Sequence, residues 1–81
     1  MTRRTEAKGE VHTVPNPEGD GWVNEVLGAV VSRHRTKEDA VECGRELARR
    51  DRTEHVIHTM DGRIAEKNSY GNDPCPPRDG A

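Results

Sequence analysis

Met60-Asp61-Gly62-Arg63-Ile64-Ala65-Glu66-Lys67-Asn68-Ser69-Tyr70-Gly71-Asn72-Asp73-Pro74 packs a turn, a short strand and a second turn into fifteen residues. Asp61-Gly62 is a hairpin signal, since Gly adopts the positive φ that tight turns between paired strands require. Ahead of it, Glu54-His55-Val56-Ile57-His58-Thr59-Met60 reads as a strand. Behind it, Arg63-Ile64-Ala65-Glu66-Lys67 reads as its short partner. Each residue of the last turn has a local reason: Gly71 for positive φ, Asn72 and Asp73 for side-chain-to-backbone turn bonds, Pro74 for rigidity. The chain thus closes on a strand hairpin, and the preceding segments decide the sheet it joins.

One helix comes before that hairpin. Thr36 can cap it by accepting from the backbone N–H of Asp39, and Glu38 and Asp39 suit the positive end of the helix dipole. Ala40, Val41, Cys43, Gly44, Leu47 and Ala48 fit one helical stripe. Ala40, Gly44 and Ala48 recur every four residues, so the helix can lie close on a sheet. Arg49, Arg50 and Arg52 stand where the dipole favours cations, and Glu46 can pair with Arg49 or Arg50.

Further toward the N-terminus, three strands are expected. Glu10-Val11-His12-Thr13-Val14 is the first, stopped by Pro15-Asn16-Pro17. Trp22-Val23-Asn24-Glu25-Val26-Leu27 is the second, after the turn residues Glu18-Gly19-Asp20-Gly21. Gly28 allows a tight turn into Ala29-Val30-Val31-Ser32-Arg33. The order is βββαββ: an α+β fold with one helix packed on a small antiparallel sheet. Residues 1–9 read as a disordered arm, 10–77 as a single domain and 78–81 as a flexible tail.

Val, Leu and Ile supply twelve of the 81 residues and there is no Phe. So thin a core favours oligomerisation, and a homodimer is expected. The net charge of −2 is not the basic footprint of a nucleic-acid binder. No apolar run is long enough for a membrane span, and the N-terminus carries no signal-peptide pattern. A cytoplasmic location with Cys43 and Cys75 reduced follows as an expectation.

Several segments together resemble the bacterial and phage family called domain of unknown function 2188. They are Val11-His12 with Val14-Pro15, Gly21-Trp22, Thr36-Lys37 with Ala40, Glu46-Leu47-Ala48-Arg49, Asp61-Gly62-Arg63-Ile64 and Ser69-Tyr70-Gly71-Asn72-Asp73-Pro74. The resemblance covers about residues 10 to 77. It implies a small cytosolic protein and brings no catalytic residues with it. Thr13, Asn24 and Cys75 stand where the family pattern suggests more apolar or aromatic character, which implies looser packing. The element order also resembles the YegP-like fold, in which two units build one sheet with exchange of terminal strands. That likeness implies a dimer, with the last strand a candidate for exchange.

No catalytic set is expected. His55 and His58 point to opposite faces of one strand and cannot share a metal without distortion, although His12 or His34 could join either from a neighbouring strand. The histidines are therefore read as surface or half-buried groups, and neither metal nor cofactor is expected. Cys43 reads as a small hydrophobe on the helix. Trp22 is the expected core anchor. Tyr70, Asn72, Asp73, Arg63, Arg49 and Arg50 are the candidate interaction residues. The expected function is a non-enzymatic macromolecule-interaction module with a possible protein partner. The alternative is a weak nucleic-acid binder using the arginine-rich helix end and the N-terminal arm.

Overall fold

A computed structural model describes residues 9–70. Its elements are β1 (Val11–Pro15), β2 (Trp22–Val26), β3 (Ala29–His34), α1 (Lys37–Asp51), β4 (Glu54–His58) and β5 (Ile64–Ser69). This is the expected βββαββ order in an α+β fold. Residues 1–8 of the expected arm, the stretch 71–77 with Asn72, Asp73 and Cys75, and the 78–81 tail lie outside the described residues. Gly9, read as the end of the arm, is half-buried against the Leu27 side chain.

The five strands form one sheet in the order β3-β2-β1-β4-β5. Both hairpin units are antiparallel, as expected. The junction between them is not: β1 and β4 run parallel, with Val11 opposite His55 and Thr13 opposite Ile57. The expected antiparallel sheet is thus a mixed one. The reason is a count of reversals. β1, β2 and β3 alternate in direction, α1 carries the chain back, and β4 starts again in the direction of β1. A helical crossover of this kind gives a parallel pair.

Thr36 caps α1 as its position predicts, accepting from Asp39 N–H at 3.1 Å. Arg52 ends it in the left-handed region at φ 55°, its N–H turned to the carbonyls of Ala48 and Arg49. The buried stripe is narrower than the apolar pattern. Ala40, Gly44 and Ala48 are buried, whereas Val41, Cys43 and Leu47 are half-buried beside them.

Several strand ends differ from expectation, and β1 takes in Pro15, which was expected to stop it. The second strand stops at Val26, because Leu27 (φ 54°) and Gly28 (φ 82°) form a two-residue loop with both residues at positive φ. Val26 then faces Ala29 directly. The fourth strand stops at His58. Gly62 N–H donates to Thr59 O at 3.0 Å and Thr59 N–H to Arg63 O at 2.7 Å, so the loop is Met60-Asp61-Gly62 rather than Asp61-Gly62 alone. The fifth strand runs on to Ser69.

Val11, Trp22, Val23, Ala40, Ala48, Val56 and Ile57 make up the buried apolar set. Trp22 is 9% exposed, and Lys37 Nζ lies 5.1 Å from the centre of its ring, a cation–π contact that ties the first turn of α1 to β2.

Candidate functional site

Three strand residues that look out of place in a core are fully or almost fully buried: Thr13, Asn24 and His55. Each sits on the sheet face under α1, around Gly44. A β-carbon on Gly44 would fall 2.6 Å from Asn24 Oδ1, 2.6 Å from His55 Nε2 and 2.9 Å from Thr13 Oγ1. Only glycine lets the helix approach this closely.

The buried groups form a directed chain. Thr13 Oγ1–H donates to Asn24 Oδ1 at 2.5 Å. Its single proton is then used, so His55 Nε2–H must donate to Thr13 across the 2.7 Å between them. Asn24 Nδ2 donates to Ser32 Oγ at 3.0 Å and to Ala40 O at 2.9 Å. Ser32 also accepts from Cys43 Sγ at 3.6 Å, which leaves its own proton for His34 Nε2 at 3.0 Å. The belt crosses β4, β1, β2 and β3 in their spatial order and holds α1 through one helix carbonyl. Thr13 opposite Asn24 and Asn24 opposite Ser32 are direct register partners. Burial pushes the His55 imidazole below its ordinary pKa, with the Arg45 charge acting the same way.

This corrects two readings of the sequence. Thr13 and Asn24 are not marks of loose packing; they satisfy one another at the tightest helix–sheet contact. His55 is neither a surface nor a half-buried group. The available signal was Gly44 in mid-helix, where glycine is unfavourable without a packing reason. Geometrically, Thr13, Asn24 and His55 are sealed under the helix and bonded to one another, while the outer end of the belt at Ser32 and His34 is half-buried, so the belt organises the fold.

On the other sheet face lies a second, half-buried line of polar groups. His12 Nδ1 is 3.0 Å from His58 Nε2, with ring centroids 5.2 Å apart. Glu10 Oε1 sits 3.2 Å from the other nitrogen of His12. The four histidines are therefore sorted by face, His34 and His55 inside, His12 and His58 outside. Among the described residues, no group of three or more His, Cys, Asp or Glu is arranged around a common metal position.

The sequence candidates are dispersed. Arg49 and Arg50 project from the last turn of α1, 3.7 Å from Glu46 and 3.5 Å from Asp51. Tyr70 is half-buried at the same end, its N–H donating to Thr53 O at 3.1 Å. Arg63 stands in the β4–β5 loop at the opposite end of the sheet, 3.7 Å from Asp61. These residues do not form one surface. A separate open groove of about 500 Å³ is lined by Asn16, Asp20, Gly21, Arg33, His34 and Arg35. No described helix is long and apolar enough to cross a membrane.

A family model described as an uncharacterized protein conserved in bacteria (DUF2188) matches residues 11–70, from the first strand to the end of the last. No curated protein and no solved structure matches the chain.

Proposed function

The chain belongs to the bacterial DUF2188 family, and on that premise we propose that it is a non-enzymatic interaction module of the cytoplasm that binds other chains, its own copies first, along the edges of its sheet. One observation carries this reading. Both outer strands, β3 and β5, lie beside strongly exposed aliphatic side chains. Val31 is 51% exposed on β3 and Ile64 61% exposed on β5; Leu27, in the loop before β3, is 76% exposed and Met60, in the loop before β5, 74% exposed. Outward-facing backbone groups on such a strand can accept a further strand, and side chains beside them set its identity.

Of the two edges, β3 suits self-pairing better. β5 holds Glu66 and Lys67 side by side, and an antiparallel copy centred on either residue sets like charges opposite each other. β3 has Arg33 as its one permanently charged residue, with Val31 near its middle. The β5 edge then stays open to a partner of another kind. Both edge strands carry a bulge, with Val31 left unpaired opposite Asn24/Glu25 and Ala65 opposite Ile57/His58, which limits indiscriminate pairing.

Concentration-dependent hydrogen exchange tests this. The β3 amides that face outward are expected to gain protection as protein concentration rises, while loop amides do not. Equal exchange of β3 at low and high concentration contradicts the proposal. A second reading, weak nucleic-acid binding, draws on Arg33 and Arg35 in the open groove. It requires an affinity that falls steeply with added salt.

A further inference from the structure

Glu10, His12 and His58 are arranged as an orienting carboxylate and two imidazoles on the sheet face turned away from α1. β1 and β4 are direct neighbours, and His12 lies opposite Val56, two residues before His58. Strand alternation therefore puts both histidines on one face. Their facing nitrogens are 3.0 Å apart. Two nitrogens bound at adjacent positions of one metal ion, each at about 2.0–2.1 Å, lie about 2.9–3.4 Å apart. The pair is thus pre-spaced for chelation, and both rings are half-buried, each keeping a solvent-facing side from which an ion can enter between them.

The third group fits the same chemistry. Glu10 accepts from His12 Nε2–H, which fixes the tautomer and leaves the Nδ1 lone pair facing His58. A carboxylate on the far nitrogen of a ligating histidine is the common way of orienting such a ligand. We propose that His12 Nδ1 and His58 Nε2 form a two-nitrogen chelate for a divalent transition-metal ion, with Glu10 as the positioning residue. Imidazole pairs suit zinc, nickel and copper ions. On binding, the proton of His58 Nε2 passes to its Nδ1 through solvent, and water fills the remaining positions on the ion. With two protein ligands, this is an exchangeable site and does not hold the fold together.

Zinc titration of the full chain, carrying Cys75→Ser to remove a competing thiol, tests the site. The probe is the side-chain nitrogen resonances of the four histidines. His12 and His58 are expected to shift together and saturate at one zinc per chain, with His34 and His55 unmoved. His12→Ala and His58→Ala should each abolish saturation, and Glu10→Gln should weaken it roughly tenfold. His58→Asn serves if His58→Ala loses its native circular dichroism. Shifts confined to one of the two histidines, no saturation at millimolar zinc, or undiminished binding after removal of either ring overturn the proposal.

Discussion

Gly44 decides how closely helix and sheet can meet, and it makes a prediction opposite to the usual one. Alanine normally favours a helix interior over glycine by about 1 kcal/mol. Here its methyl group would enter the space held by Asn24, His55 and Thr13. Overpacking of this kind costs about 1–3 kcal/mol. Gly44→Ala should therefore lower the melting temperature, and a raised one contradicts the packing described. Asn24→Ala leaves Thr13, Ser32 and the Ala40 carbonyl short of partners and should cost about 1–3 kcal/mol. His55 adds a pH dependence. Its folded pKa is depressed, mainly by burial, so the unfolded chain binds the proton more readily. The stability tied to His55 is complete above the unfolded value of about 6.5 and falls as pH drops below it toward the folded value. Thermal melts between pH 7.5 and 5.5, a window set around that value, should show a steeper acid-side loss for wild type than for His55→Gln. What sequence reading missed at this scale was the partner of each polar residue. Thr13 and Asn24 gain their meaning from register and from a glycine at least twenty positions further along the chain.

Among the elements, α1 was legible in full. Its cap, its dipole charges and its stripe of small residues are local features, and the structure keeps each of them. Thr36→Ala should cost about 1 kcal/mol by removing the cap, measurable in chemical denaturation. The hairpins were legible as hairpins, but their ends were not. Leu27 continues an apolar pattern and so reads as strand, yet it occupies a turn position at φ 54°. A side chain held there costs on the order of 1 kcal/mol. Leu27→Asn restores the residue pair that such a turn prefers and should stabilise the fold by a similar amount. The parallel junction of β1 and β4 was also hidden, because strand direction across a helical crossover follows from the number of reversals, which no local motif records.

At the scale of the whole molecule, one helix packs on one face of a five-stranded sheet against β1 to β4, and both edges remain available among the described residues. The sequence made the smallness of the core plain, and with it the expectation of self-association. It did not show where, since Val31 and Ile64 differ from core valines and isoleucines only by lying on outer strands. The chain mass is 9.0 kDa. Light scattering coupled to size exclusion at micromolar concentration, run on wild type and on Val31→Asp, decides whether β3 pairs with a second copy. Pairing through β3 gives a wild-type mass of twice the chain and a folded Val31→Asp at the single-chain mass. A wild-type protein that elutes as a monomer, or a dimer that Val31→Asp leaves intact, contradicts it.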